Sequence, residues 1–258
     1  MSHVDPNPFE PPAADLTNGL AARPDGIQYL ECYRYVFQSP DWLLNVLFVL
    51  ICQFIPVIGP IVVLGYQFQI VEELTRNPAA NYPRFSFDLF VEYLKRGVWP
   101  FLVSLVVSMV VVVPVCLVLY ALFALVFLAA AAVEGEGGVV VVVLGLAFVG
   151  LAVVLVSAGT WIVLMPMILR SGLAQDFAEA FRLDFLRSFV AKVWKELLLG
   201  GLFLVASGWV VAGIGALVFC VGMYFAAAVI TLAQAHLFYQ LYQLFLARGG
   251  KPIPLKIR

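Results

Sequence analysis

The sequence GVWPFLVSLVVSMVVVVPVCLVLYALFALVFLAAAAV runs from Gly97 to Val133 without one charged side chain. A helix needs roughly 20 apolar residues to cross a bilayer core of about 30 Å, and this stretch exceeds that length. It is apolar on every face, whereas strands of membrane barrels alternate apolar and polar residues over segments of about 10 positions. In lipid, backbone hydrogen bonds must close within the segment, so we expect a membrane-crossing helix here.

The whole chain shares this chemistry. Of its 258 residues, 63% are hydrophobic and only 12% are charged, and the mean hydropathy is +1.01. Soluble domains are about half apolar and about a quarter charged. The formal net charge of −1 provides no clustered basic surface for nucleic acid, so no nucleic-acid partner is expected. We therefore predict an all-α fold, a polytopic transmembrane helical bundle of about five membrane helices embedded in a lipid bilayer.

The composition divides the chain into three regions. Residues 1–25 are acidic and proline-rich and lack the apolar core of a signal peptide, which predicts a disordered tail. Residues 26–247 form a single predicted membrane domain, and residues 248–258 a basic cytoplasmic tail. Within the domain, the apolar blocks lie at about 42–71, 98–133, 138–169 and 197–247.

Lysine and arginine residues predict the topology, because they concentrate on the cytoplasmic side of membranes. They cluster in 72–96, in 170–196 and at the C-terminus, whereas the connector 134–138 has none. We therefore expect a multi-pass protein of the cytoplasmic membrane with a cytoplasmic C-terminus. The block 197–247 then begins and ends inside, as a two-helix hairpin. Its turn has three candidate glycines, Gly213, Gly215 and Gly222.

The first apolar block, 42–71, permits two interpretations because the sequence IPVIGP occupies 55–60. One is a single crossing that is kinked at the prolines, which places the N-terminus outside. The other is a re-entrant pair of half-helices that places the N-terminus inside. Proline and glycine are tolerated at membrane depth where neighbouring protein satisfies the freed backbone groups. We favour the single kinked crossing.

An amphipathic stretch followed by tryptophan precedes an apolar block at three places in the chain. Spacings of three and four residues put the apolar side chains on one helical stripe. We expect interfacial helices with aromatic anchors, although ordinary connectors are the alternative. The stripes are Tyr29, Cys32, Tyr33, Val36 and Phe37 before Trp42; Phe87, Phe90, Val91 and Leu94 before Trp99; and Phe181, Phe185, Phe189, Val190 and Val193 before Trp194.

Short motifs at both ends of the apolar region resemble an uncharacterised prokaryotic membrane family, domain of unknown function 4013. The first motifs are Ser39-Pro40-Asp41-Trp42, the run FIPVIGP at 54–60 and Gly65-Tyr66. The later motif is Ala235-His236-Leu237 with Tyr239 and Gln240. The resemblance covers roughly residues 28–245. It implies a polytopic protein of the cytoplasmic membrane without an established activity.

The chain offers little for catalysis. None of its four cysteines is paired as Cys-x-x-Cys, and only two histidines occur, so neither a metal site nor a cofactor is predicted. Ser207 and His236 resemble the serine and histidine of rhomboid-type intramembrane proteases, which lie on neighbouring helices. Val205 stands where the rhomboid pattern has glycine, however, so we interpret Ser207 as a helix-packing residue and expect no enzymatic activity.

Two functions remain as hypotheses. The first is a small-solute transporter, because a broken helix beside a polar side chain forms the substrate site of some secondary transporters. Its candidate polar site is Gln53, Pro56, Gly59 and Pro60.

The hypothesis we favour is a non-enzymatic protein that acts through helix packing or as a subunit of a membrane complex. Small residues spaced four apart allow helices to approach closely. Its partner is another membrane protein or a second copy of the chain, and 72–96 is the candidate cytoplasmic docking surface. The candidate packing residues are Ser104 with Ser108, Gly208 with Ala212 and Ala216, and Gly222 with Ala226.

Overall fold

A computed structural model of the chain describes residues 26–78, 80, 82–133, 135–217 and 219–255, apart from the side chains of 219–221. The predicted tail 1–25 and the last three residues of the predicted basic tail lie outside this description. The described residues form helices, turns and irregular segments without a strand, which confirms the all-α class.

The helices follow the apolar blocks of the sequence. They are α1 (Tyr29–Gln38), α2 (Trp42–Gln53), α3 (Ile58–Arg76), α4 (Phe90–Val107), α5 (Val113–Ala131), α6 (Glu136–Ala174), α7 (Leu183–Ala216) and α8 (Phe219–Ala247). Within the described chain, 4 helices are long and apolar enough to cross a membrane. The number rises to 5 if α1 and α2, whose axes differ by 103°, count as one broken span, and the predicted count of about five is confirmed.

The helices α4 and α5 belong to one continuous helical stretch of 45 residues, Phe87–Ala131. A π-helical turn, Ser108–Val112, joins them, and Pro114 follows at the start of α5. Proline has no N–H, and its ring clashes with the carbonyl group of the preceding helical turn. A π-turn places one extra residue in the helix, so we infer that Ser108–Val112 accommodates Pro114 without breaking the stretch.

The first apolar block folds back on itself between α2 and α3. Val57 in the break has φ of 66°, a left-handed value that β-branched residues rarely adopt. The Asn45 amide and the Tyr66 hydroxyl both donate to the carbonyl oxygen of Pro83, at 3.4 and 2.6 Å. In a continuous helix those two residues would lie about 30 Å apart. The favoured single kinked crossing is therefore wrong, and the block has the folded-back arrangement of the alternative.

The three amphipathic stretches have different structures. The first is the separate helix α1, which buries Cys32 and Val36. The third begins α7 and is set apart by a kink at Val193, where φ is −133° and ψ is 19°. The second continues into α4 without a break and is not a separate helix. The predicted lipid-facing role of the third stripe is also wrong at its centre, because Phe189 lies buried against Phe245, with 4.8 Å between their ring centroids.

The buried core lies at the end of the molecule that carries the charged side chains. It combines α1–α4 with the end of α6, the start of α7 and the end of α8. By contrast, α5 contains no buried residue, and Val149 is the single buried residue of α6 before Met165. These two segments pack mainly on each other. Their remaining apolar side chains face the surroundings of the protein.

Two glycines bring α3 and α4 into direct backbone contact. A Cβ atom on Gly65 would collide with the carbonyl group of Tyr93 in α4, and one on Gly97 would collide with the carbonyl of Ile61 in α3. Glycine allows this approach because it has no side chain, as in close helix pairs within membranes. The contact fixes the end of the folded-back pair against the long α4–α5 stretch.

We expect Gly65→Ala to destabilise the protein by at least about 1–3 kcal/mol, because the added methyl group forces two backbones apart. The measurement is the midpoint of thermal unfolding in mild detergent. Gly150→Ala in α6 is the matched control, since no atom lies within 4 Å of its added Cβ. Equal midpoints for the two variants would contradict the backbone contact between α3 and α4.

Candidate functional site

The break between α2 and α3 places the predicted polar site at the tip of the folded-back pair. Gln53 is half-buried, and its side-chain amide forms no hydrogen bond with the described residues. Pro56 and Pro60 are exposed, and Gly59 packs against the carbonyl of Cys52. The neighbouring Phe54 contacts Tyr224 of α8, with 4.8 Å between ring centroids. The tip therefore packs through rings rather than through the Gln53 amide.

An extended segment, 82–86, lies between α2 and α3 and supplies the polar groups that hold them. Its backbone would be left unsatisfied among apolar helices, because it forms no helix or sheet. Asn45 of α2 satisfies two of these backbone groups. Its side-chain oxygen accepts a hydrogen bond from the Phe85 N–H at 2.8 Å, and its amide donates to the Pro83 carbonyl. The Tyr93 hydroxyl accepts the Ser86 N–H at 3.3 Å. Side chains of three helices thus satisfy this segment.

Carbonyl groups of α8 accept hydrogen bonds from two further buried side chains. The Gln67 amide of α3 donates to the Thr231 carbonyl at 2.5 Å, and the Tyr82 hydroxyl donates to the Leu232 carbonyl at 3.5 Å. Burial raises the pKa of Tyr82 well above its usual value, because the charged phenolate is poorly solvated inside the protein. The Tyr82 hydroxyl therefore remains a hydrogen-bond donor. These contacts dock α3 and the extended segment on one short section of α8.

The helix α1 docks on α7 and α8 through a second set of polar contacts. The Gln240 side chain accepts the Gln28 N–H at 2.7 Å and donates to the Gln28 carbonyl at 3.1 Å, so one amide satisfies the start of α1 twice. The Tyr35 ring stacks on His236 with 4.5 Å between centroids. The sequence motif that pairs His236 with Gln240 thus lies at the α1 contact.

Ser207 and His236 do not form a hydrogen-bonded pair. The Ser207 hydroxyl lies 2.8 Å from the Tyr33 hydroxyl and donates to the Phe203 carbonyl at 2.6 Å. His236 instead places Nδ1 at 3.1 Å from the Gln240 amide. In the described chain, no group of three His, Cys, Asp or Glu side chains could hold a metal ion. Of these contacts, the Ser207–Tyr33 bond and the stacking of Tyr35 on His236 dock α1 on α7 and α8, whereas the His236–Gln240 bond lies within α8.

The predicted packing residues have unequal surroundings. The Ser104 hydroxyl donates to the Pro100 carbonyl of its own helix at 2.8 Å, and Ser108 begins the π-turn. A Cβ on Gly208 would approach Ile230 of α8 to 3.7 Å, an ordinary contact. Ala226 is buried. Ala212 is half-buried, whereas Ala216 is exposed.

Glycine pairs make close backbone contacts, and the predicted packing residue Gly222 belongs to one of them. Gly222 meets Gly215 backbone to backbone, beside a turn between α7 and α8 that includes Leu217. The turn therefore includes Leu217, which is none of the three glycines proposed as turn sites. The pattern missed Gly65 and Gly97 entirely. An isolated glycine inside a helical segment is the available signal, because it weakens the helix and usually has a packing role.

Ion pairs join the helices at the charged end. Glu72 of α3 lies 2.6 Å from Arg76 and 2.7 Å from Arg96 of α4. The approach angle makes the Arg96 Nη1 contact an ion pair without a hydrogen bond. Part of the predicted docking surface 72–96 is thus used inside the protein.

A second set of ion pairs joins the end of α6 to the 3-10 turn Ala178–Phe181, and α7 to the residue that follows α8. Arg170 donates to Glu179 at 2.5 and 3.0 Å and covers the Phe185 ring. Glu196 pairs with Arg248. Breaking either pair would leave a half-buried charge without its partner, which costs more than an exposed ion pair contributes.

The fold and these contacts define an all-helical protein whose long apolar helices can cross a membrane. Residues 48–220 match the family model described as Protein of unknown function (DUF4013), and the chain belongs to that family. The match confirms the family that the sequence resembles, and it includes the motifs at 54–60 and 65–66, whereas those at 39–42 and 235–240 lie outside the matched residues. Comparison with curated proteins and with solved structures yields no significant match.

We expect Gln240→Ala to loosen α1 without unfolding the bundle, because the variant removes both bonds to the Gln28 backbone. Amide hydrogen exchange across residues 28–38 should accelerate by about 5- to 10-fold, the factor for a net loss of about 1–1.5 kcal/mol. Gln243→Ala on the same helix is the control. Exchange that rises equally in both variants would contradict the docking role of Gln240.

Proposed function

We propose that the chain is a multi-pass protein of the cytoplasmic membrane that acts without catalysis, as a subunit of a membrane complex. The observation that carries this proposal is the free apolar surface of the helical hairpin formed by α5 and residues 136–163 of α6. Monomeric soluble proteins rarely expose a contiguous apolar patch larger than a few hundred Å². Almost none of the hairpin's apolar side chains are buried in the described core, so its surface is available to lipid and to partner helices.

The exposed side chains support a membrane location. Leu117, Val118 and Phe148 are each more than half exposed in the centre of this hairpin. In water such side chains would cost roughly 25 cal/mol for each Å² that they expose. Acyl chains remove this cost, and the hydrogen bonds of α5 and α6 close within each helix.

The ion pairs support one orientation of the bundle. The start of α4, the end of α6, the start of α7 and the end of α8 carry most of the charges, and bonded pairs hold these ends together. By the rule that lysine and arginine stay inside, this end is cytoplasmic. The fold-back of α2 and α3 then returns the chain to the side from which it entered, so α1 and Lys251 both lie inside. We therefore propose that the N-terminus lies on the cytoplasmic side, instead of the external side that the single crossing implied.

Local bonding supports a role without catalysis. The Ser207 hydroxyl bonds to Tyr33 of α1 and the His236 imidazole to Gln240 of its own helix, so neither activates the other. At the α2–α3 break, the contact between Phe54 and Tyr224 is a packing contact. These observations favour a complex subunit over a transporter with Gln53 at its substrate site.

Cysteine labelling in intact cells tests the orientation. We expect Glu136→Cys to react with a membrane-impermeant maleimide, because this residue lies at the outer end of α6. Gly26→Cys and Lys251→Cys should react only after permeabilisation, and the unsubstituted protein measures the background. Labelling of Gly26→Cys in intact cells would exclude the return of α2 and α3 to the cytoplasmic side.

Affinity purification in mild detergent tests the function. We expect a stoichiometric membrane-protein partner, or a second copy of the chain, to co-purify at low expression levels. The purified protein should give no solute uptake above empty liposomes. Uptake that Gln53→Ala abolishes would overturn the proposal and establish the transport alternative.

A further inference from the structure

The helix α5 carries one stripe of side chains that differs from its other faces. Tyr120, Phe123, Ala124, Phe127, Leu128 and Ala131 line a shallow groove along the helix surface. The Phe123 and Phe127 rings contact each other, with 4.8 Å between centroids. Cys116 is exposed one helical turn before Tyr120, at a spacing of four residues that places it on the same face.

The contacts of α6 leave this groove uncovered. Val126 lies on the face of α5 that contacts α6, because a Cβ atom added to Gly145 of α6 would collide with its methyl groups. Val126 is half-buried, whereas Tyr120 is 74% exposed. The groove thus points away from the rest of the chain.

Tyr120 is the unusual member of the stripe. It is 74% exposed, and its hydroxyl forms no hydrogen bond with the described residues. From Met109 to Val133, Tyr120 and Cys116 carry the only polar side-chain atoms in the sequence. Tyr120 lies about 17 Å along the helix from Ala131, so in a bilayer core of about 30 Å it is close to the middle. Acyl chains cannot bond a hydroxyl there, so an unpaired Tyr120 costs free energy.

We propose that the Tyr120 stripe of α5 packs against the same stripe of a second copy of this chain, with the two Tyr120 hydroxyls hydrogen-bonded to each other. This inference rests on the proposed role in a membrane complex and names its partner. In a dimer with its twofold axis along the membrane normal, each residue near the axis meets its own counterpart. A hydroxyl group both donates and accepts, so two tyrosines satisfy each other.

The shape of the stripe also suits a second copy. Ala124 and Ala131 are small residues that leave hollows beside the Phe123 and Phe127 rings. Small residues let membrane helices approach closely, and a copy of the stripe supplies rings for these hollows. Tyr224 differs from Tyr120, because it is less exposed and lies near the start of α8, where its ring contacts Phe54.

The native cysteine provides the test. Membranes with the protein at low density are oxidised with copper phenanthroline, and the products are separated without reductant. We expect a disulfide-linked dimer in the unsubstituted protein and none in Cys116→Ser. The matched control is Cys116→Ser with Val118→Cys, because Val118 is equally part of α5 and 59% exposed but lies on the opposite face. Equal cross-linking through positions 116 and 118 would show random collision and overturn the proposal.

A second measurement keeps the test independent of disulfide geometry. The dimer dissociation constant in vesicles, from fluorescence energy transfer, should rise about 3- to 20-fold in Tyr120→Phe, the range for one hydrogen bond between membrane helices. Tyr224→Phe should leave it unchanged. A monomer at every density, or a dimer insensitive to Tyr120→Phe, overturns the proposal. A monomer that still co-purifies with a different membrane protein overturns the dimer alone and leaves the proposed complex subunit standing.

Discussion

The apolar surface of α5 and of residues 136–163 in α6 sets the conditions under which this protein can fold. Neither segment has enough neighbouring chain to cover it, and α5 buries no residue at all. In water, the hydrophobic effect would drive these helices into association. In lipid they are stable without further burial, because each helix satisfies its own backbone hydrogen bonds. The bundle needs a large core only where α1–α4 meet the ends of α6, α7 and α8.

That core also supplies hydrogen-bond partners for the backbone N–H and C=O groups that lie outside the helices. The extended segment 82–86 and the break at Phe54–Val57 free several backbone groups. Asn45, Tyr66 and Tyr93 bond to the Pro83 carbonyl and to the N–H groups of Phe85 and Ser86 in this segment. Polar side chains are therefore concentrated where the chain departs from a helix. These side chains therefore serve the architecture of the bundle.

The sequence predicted the parts of this fold that depend on local composition. The charge-free blocks correspond to helices because an apolar stretch in lipid has few alternatives to a helix. The fold-back of α2 and α3 was not predictable in this way. It depends on one carbonyl, that of Pro83, which accepts bonds from Asn45 and Tyr66 on opposite sides of the break. Proline and glycine at 56–60 showed that the helix is interrupted, but not the direction in which the chain continues.

Contacts between distant helices explain the other differences. Gly65 and Gly97 look like ordinary helix glycines until α3 and α4 are placed side by side, whereas the Ser104 hydroxyl bonds to a carbonyl of its own helix. Likewise, the spacing of Ser207 and His236 did not show that Ser207 bonds to a side chain of α1 or that His236 bonds to a side chain of its own helix. Tyr33 and Gln240 occupy those polar atoms in the structure. Spacing along one helix predicts a face, but the partner of that face is set by the fold.

Alkaline carbonate extraction of cell membranes tests the lipid environment of α5 and α6 most directly. We expect the protein to stay entirely in the membrane pellet at high pH and to leave it only with detergent. Release into the carbonate supernatant as a monodisperse species would show that water can surround these helices. That result would contradict the proposal that the bundle is embedded in a membrane.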